Sequence, residues 1–271
     1  MINMWMEKPM KKLMLSIFAT TAIGALSLSL LITGCMSTAI SGSGNLITEQ
    51  EDYTDFTQVE INSAFEYTIT QSDTFSIGIT ADDNVMPYVN VTKVGNRVKV
   101  ALDNVSLRNA HYEANITMPT LSGVLIDSAS RGSISGFDST GALSLTVTSA
   151  SRLTLVDITA GAITANVNSA STVTGTLNAS SLNLNASGAS TVQITGSATE
   201  ADLTVGGASK ALLVGFPIGN VDVTVDGASK ATLNVSGTLD INADGASTVQ
   251  YTGGPTIGTL NVGGASTVSA L

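Results

Sequence analysis

Cationic, aromatic and metal-binding side chains are scarce in this chain. It has 11 Lys and Arg against 21 Asp and Glu, one His, one Cys and one Trp, and aromatics make up 4% of it. A net charge of −10 supplies no broad positive field for a polyanion, so no nucleic-acid partner is expected. One Cys cannot close an internal disulfide, and one His with one Cys cannot complete a His/Cys zinc site; no metal and no cofactor are expected. With few large side chains, the mean hydropathy of +0.32 must come from one uncharged segment and from a core of small aliphatic residues.

The uncharged segment is an address. Lys11 and Lys12 precede residues 13–32, which carry no charge, and the run ends at Ile32-Thr33-Gly34-Cys35. A basic start, an apolar centre and small residues before a cleavage point define a secretory signal. Aliphatic Ile32 and small Thr33 and Gly34 before the only cysteine also fit a bacterial lipobox, which makes Cys35 the lipidation site and residues 1–34 a lipoprotein signal peptide. A transmembrane anchor is the alternative, since 20 uncharged residues are long enough to span a bilayer. Met10-Lys11-Lys12 also reads as a natural start, which would make residues 1–9 an upstream extension. Processing removes Glu7, Lys8, Lys11 and Lys12, leaving 8 basic and 20 acidic residues and a formal charge of −12. Several acyl chains on Cys35 would hold this chain at the membrane where one would be marginal. Residues 35–44 form a Ser/Gly/Thr tether, and the expected location is the cell envelope, as an outer-membrane lipoprotein facing the periplasm or the surface.

A repeat organises the rest. Ser130, Ser151, Ser171, Ser190, Ser209, Ser229, Ser247 and Ser266 recur at intervals of 18 to 21, each follows an alanine, and each alanine follows Ser or Gly. Self-similarity at this period marks a solenoid. Six and four residues before the serine the columns are apolar throughout, as in Leu145 and Val147 or Leu203 and Val205; two after it stand Leu153, Val173, Val192 and Val249. Odd offsets are mostly polar, and alternation over eleven residues is a β pattern with one buried face. About 19 residues suit one coil of an all-β parallel β-helix, and eight coils spaced about 4.8 Å apart would make a rod roughly 35 to 40 Å long. By parity the Gly/Ser column and the anchor serine both point inward, at a bend too tight for larger side chains, where the hydroxyl satisfies a backbone group. The repetitive part covers residues 120–271. Residues 45–119 carry most aromatics, from Tyr53 to Tyr112, in further alternating segments; they read as opening coils or a cap, with Asn62-Ser63-Ala64-Phe65 a degenerate copy of the repeat.

Ser43-Gly44-Asn45-Leu46-Ile47-Thr48-Glu49, then Phe56-Thr57-Gln58-Val59-Glu60 and Tyr67-Thr68-Ile69-Thr70-Gln71, then the Gly/Ser-Ala-Ser repeats resemble the bacterial family described as putative auto-transporter adhesin, head GIN domain, over nearly all of residues 43–271. The resemblance implies a secreted or lipid-anchored protein with a right-handed parallel β-helix, and it carries over no catalytic residues. The residue after the motif is Arg, Thr or Lys here where the family often has Asp, so surface chemistry is not transferred from it.

The repeated serines form a structural ladder in this reading: the lone His111 cannot serve eight nucleophiles, and no distinctive G-x-S-x-G strand-turn-helix elbow is present. Asp127, Asp226 and Asp244 share the column three before the serine, but only the last two fall on consecutive coils, a solvated turn edge or at most a weak cation site. One residue after the serine stand Arg131, Arg152, Lys210 and Lys230 among threonines; this places like charges on adjacent coils and makes the four candidate anion-binding positions. Few aromatics after residue 120 leave sugar stacking only to the section from Tyr53 to Tyr112. The expectation is a lipid-anchored binding or structural module with a glycan or protein ligand, not an enzyme. A polysaccharide lyase or hydrolase on a β-helix, or a scaffold without ligand, is the alternative. The chain stops five residues after Ser266, and the last coil is expected to be covered by self-association or by a partner.

Overall fold

The computed structural model describes residues 39–271; the signal segment and Cys35 lie outside the described residues. From Ile40 to Leu271 the body is almost wholly β, with one 3-10 turn at Met86–Tyr88. It winds as a solenoid of about seven turns with coils of about 20 residues.

One coil shows why the sequence winds this way. In Arg152–Val167 the side chains of Leu153, Leu155, Ile158, Ala160, Ile163, Ala165 and Val167 are buried, while period-two alternation sends Thr154, Thr164 and Asn166 the other way. The phase slips twice: between Leu155 and Ile158, where Val156 and Asp157 are both exposed and Asp157 takes φ 52°, and again between Ala160 and Ile163, where Gly161 and Ala162 both lie outside the core. These slips bend the strand around its own core. Each coil pairs in parallel with the last, placing Leu153 beside Val173, then Val192, Ala211, Ala231 and Val249. Like residues therefore stack in continuous interior columns, each fully buried Val or Leu contributing about 1.5–3 kcal/mol.

The motif itself departs from the expected geometry. The Gly/Ser column does not point inward: Ser128, Ser149, Ser169, Gly188, Gly207, Gly227, Gly245 and Gly264 are exposed, with φ between 55° and 79°. Each is the first central residue of a tight turn, closed for example by Ser130 N–H donating to Asp127 O at 3.3 Å and Ser266 N–H to Gly263 O at 3.2 Å. The eleven-residue alternation is thus two strands with a turn between them, and parity resumes because the turn returns the chain to the same face. Small residues are required by the left-handed φ and by the neighbouring coil: a Cβ on Gly227 would stand 2.6 Å from Gly207 O on the coil before it. The anchor serines do point inward, 2% exposed or less from Ser130 to Ser247, and Ser266 is half-buried.

Residues 45–119 are one coil and a cap. Gln58–Ile61 and Glu66–Gln71 pair in parallel with Gly123–Ile126 and Arg131–Ser135. The turn between them, at Ser63 and Ala64, has the same positive φ values of 63° and 60°, and Phe65 fills the anchor position. Arg97–Leu102 and Tyr112–Met118 add a further parallel layer. The direction then reverses, with Val89–Val94, Ser76–Asp82 and Leu46–Gln50 all antiparallel to their neighbours. Aromatic rings plug this wider end: Phe56 packs on Phe75 and Phe65 edge-on against Tyr112, each with centroids 4.9 Å apart. These four rings are spent on packing, while Tyr53 and Tyr88 stay half-buried.

The segment before the cap is clasped. Buried Asp82 accepts from Gly44 N–H at 2.6 Å and His111 N–H at 2.8 Å, Asp83 accepts from Ser43 Oγ and Asn45 Nδ2, and Asn84 Nδ2 donates to Ser41 O at 2.8 Å. At the other end Leu260 and Val262 are 51% and 48% exposed, because among the described residues no strand pairs beyond Thr256–Val262. Among the described residues no helix is long and apolar enough to cross a membrane.

Candidate functional site

All four cations of residues 120–271 stand in one outward column. Parallel register runs it through Glu113, Glu66, Arg131, Arg152, Thr172, Thr191, Lys210, Lys230, Thr248 and Thr267, with neighbours about 4.8 Å apart along the solenoid axis. Ion pairs among the described residues are confined to Arg97 and Lys99 on Glu60, at 3.4 and 3.0 Å, and His111 with Glu113 at 3.7 Å. Burial alone would push the Glu60 carboxyl up, but hydrogen bonds from Lys99 and Asn62 and the two cations hold it below its ordinary value. The four column cations have no such partner. A shallow groove of about 400 Å³ opens beside the first pair, among Glu66, Thr68, Asn115, Arg131, Ser133 and Arg152. The next outward column offers hydroxyls and an amide: Thr68, Ser133, Thr154, Thr174 and Gln193.

The other long side carries the opposite charge. Asp202, Asp222 and Asp240 occupy three consecutive rungs, and with Glu200 they border a groove of about 450 Å³. Among the described residues no three His, Cys, Asp or Glu are placed to hold a metal ion. Asp226 and Asp244, the adjacent pair of the turn column, lean in opposite directions, over the sites of Gly206 and Gly263 respectively. Asp244 Oδ1 also accepts from Gly245 N–H at 2.7 Å, as Asp127 Oδ1 does from Ser128 N–H at 2.6 Å. These are turn-capping groups, and the pair does not converge on a cation.

The buried serines link coil to coil. Ser130 Oγ and Ser190 Oγ each donate at 2.8 Å to the carbonyl three residues before them, while Ser171, Ser209 and Ser266 Oγ accept the amide of the serine one coil earlier, at 3.2 to 3.3 Å. Ser247 Oγ donates to Val225 O at 3.2 Å. Ser151 Oγ and Ser229 Oγ have no protein partner. Among the described residues the ladder hydroxyls bond only to backbone groups and to one another; His111 lies in the cap on Glu113.

The turns come in two forms, which the repeat reading missed. At Ser63-Ala64, Ser128-Ala129, Ser149-Ala150 and Ser169-Ala170 both central residues have positive φ; from Gly188 onward only the glycine does. These are type I′ and II′ turns, which differ by a flip of the central peptide. The hydrogen bonds reverse with it: Ala129 and Ala150 N–H donate forward to Ser149 and Ser169 O, both at 2.9 Å, whereas Ala208 and Ala228 N–H donate backward to Gly188 and Gly207 O, both at 2.8 Å. The signal was the change from Ser-Ala to Gly-Ala along the repeat. The clasp on Ser41–Asn45 was missed as well, since Asp82-Asp83-Asn84 reads locally as an ordinary polar turn.

Parallel strands stacked coil on coil, with polar columns outside and small aliphatic columns inside, define a β-solenoid. Residues 55–255 match the family described as Putative auto-transporter adhesin, head GIN domain, and the chain belongs to that family. Crystal structures of a putative adhesin from Parabacteroides merdae (20% identical, TM-score 0.80, covering 86% of this chain and 99% of that one) and of a putative adhesin from Parabacteroides distasonis (17%, 0.80, 86% and 100%) share the fold. So does that of a putative lipid binding protein from Parabacteroides distasonis (16%, 0.76, 86% and 99%). No curated protein matches the chain.

Proposed function

We propose that this chain is an adhesin-like binding module of the bacterial envelope, tethered through a lipid on Cys35 and offering the sides of its solenoid to a glycan or protein. The observation that carries the reading is the outward column of unpaired cations in a member of a family described as adhesins. The interior is uniform and narrow, so what varies along the chain is the outer face. The reading assigns no catalytic step and no resident metal or cofactor. Feeding cells a fatty-acid analogue and comparing the chain with its Cys35→Ala variant tests the anchor; equal labelling of both would remove Cys35 from it. Retention of the full chain on a glycan and matrix-protein array is expected, with no new reducing ends or unsaturated products from a polysaccharide panel. Turnover of any polysaccharide would replace the reading with an enzymatic one.

A further inference from the structure

The two turn forms meet between Ala170 and Ala189, and there two backbone donors face each other. The Ser169 carbonyl is taken by Ala150 N–H at 2.9 Å and the Gly188 carbonyl by Ala208 N–H at 2.8 Å. Ala170 N–H points on toward the Gly188 coil, Ala189 N–H points back toward the Ser169 coil, and among the described residues neither has an acceptor. Each block of turns is a hydrogen-bonded stack of aligned peptides, and each turns its positive end to this junction. Aligned peptide dipoles give a helix N-terminus its attraction for anions, and here two such ends converge on an exposed ridge.

The junction lies level with the centre of the cation column, two residues before it along each coil. Arg131 and Arg152 lie on one side of it, Lys210 and Lys230 on the other, and Thr172 and Thr191 occupy the two rungs level with it. From Arg131 to Lys230 is five rungs, about 24 Å at the usual strand spacing. Beside the junction, across the turn, stand uncharged Asn168 and Ser187. Glu66 closes the column beyond Arg131.

We infer that this column and its central amide pair form one binding track for an acidic glycan chain lying along the solenoid axis, its carboxylates meeting the two cation pairs and the junction between them. The inference rests on the binding-module reading and names the ligand class. A hydroxyl-rich polymer fits because the flanking column offers Thr, Ser and Gln side chains. The track has no aromatic platform for base stacking, which disfavours a nucleic acid.

The test uses the full chain, a short oligogalacturonate and its fully methyl-esterified counterpart. Binding of the acid alone, weakened by salt, is expected, with the amide resonances of Ala170 and Ala189 shifting on titration. Replacing Lys210 and Lys230 together by Thr, the residue already accepted on four other rungs of the column, should weaken binding roughly tenfold, the factor two exposed ion pairs supply. Gly188→Ser gives the turn a Ser-Ala pair and should move the junction one rung, so that the ligand-induced shift appears at Ala208 in place of Ala170. Equal binding of the methyl ester, unmoved Ala170 and Ala189 amides, or preference for phosphatidylglycerol vesicles or single-stranded DNA would overturn the assignment. Array retention by another ligand that ignores the Lys210/Lys230 change would sink the track and leave the binding module standing; retention of nothing would sink the module itself.

Discussion

Tyr67 lies in the space that Gly132 leaves open. The two are paired on adjacent strands, and a Cβ at position 132 would run into the Tyr67 backbone carbonyl and come within 2.7 Å of its ring. The ring continues beneath the next coil, where its hydroxyl donates to Arg152 O at 3.1 Å. One side chain thus ties the cap coil to two coils beyond it, and Gly132 interrupts an otherwise apolar column for this reason. Gly132→Ala should cost about 1–3 kcal/mol through overpacking, and Tyr67→Phe about 1 kcal/mol through the lost hydrogen bond. Urea unfolding measures both, and a wild-type midpoint for Gly132→Ala would contradict the packing.

The same burial sets a pH dependence. Burial pushes the Tyr67 phenol well above the usual tyrosine range, and partial burial raises Tyr112 as well. In the unfolded chain both ionise near pH 10, roughly the model-peptide value. Above that pH the unfolded state binds fewer protons than the folded one, so the tyrosines' contribution to stability is constant below it and falls as pH rises further. Absorbance at alkaline pH should show Tyr67 titrating only as the chain unfolds. Five reversible phenol titrations in a folded protein, one for each of its 5 tyrosines, would refute this.

Much of the fold was written in the spacing of the serines. Columns such as Leu145, Ala165, Leu184, Leu203, Val223 and Ile241 are buried, and a parallel coil follows from their period. The turn was not legible, because a four-residue turn keeps the parity of an uninterrupted strand: Val147 and Ser151 both face inward whether or not the chain bends between them. The cap was only half legible, since the strands of 45–119 alternate alike whether their neighbours run parallel or antiparallel. The cation column could be seen in the sequence as an offset. That its centre lies level with a peptide flip depends on hydrogen-bond direction, which no residue pattern states.

The clasp on the amino-terminal segment should fail by its acceptors. Asp82→Ala removes the partner of both Gly44 and His111 N–H; a charge-assisted bond of this kind contributes about 1.5–3 kcal/mol. The loss should be local, seen as faster amide exchange at Gly44 and His111 with the coils unaffected. Asp83 adds an acid-sensitive part: hydrogen bonds from Asn45 and then Ser43 hold its carboxyl below the usual range. Its contribution is therefore present above the ordinary carboxylate pKa and lost as pH falls through its lowered folded value. Exchange around Ser43 that is unchanged by acidification would contradict this.

One substitution should have opposite consequences at two turns. At Gly227 a change to Ser favours the Ser-Ala turn form, but the flipped peptide would set its carbonyl against Gly207 O and the Ala228 N–H against the Ala246 N–H. Two coil-to-coil bonds, Ala228 to Gly207 at 2.8 Å and Ala246 to Gly227 at 2.7 Å, would be lost, at about 1 kcal/mol each. Keeping the original turn instead forces a Cβ to within 2.6 Å of Gly207 O at φ 69°, so no arrangement avoids a cost. At Gly188, on the boundary between the blocks, the same flip gives up the bond from Ala208 and gains one from Ala170. Gly188→Ser should therefore sit near wild-type stability while Gly227→Ser loses about 2 kcal/mol. Equal urea midpoints for the two variants would show that the turns respond one by one and not as blocks.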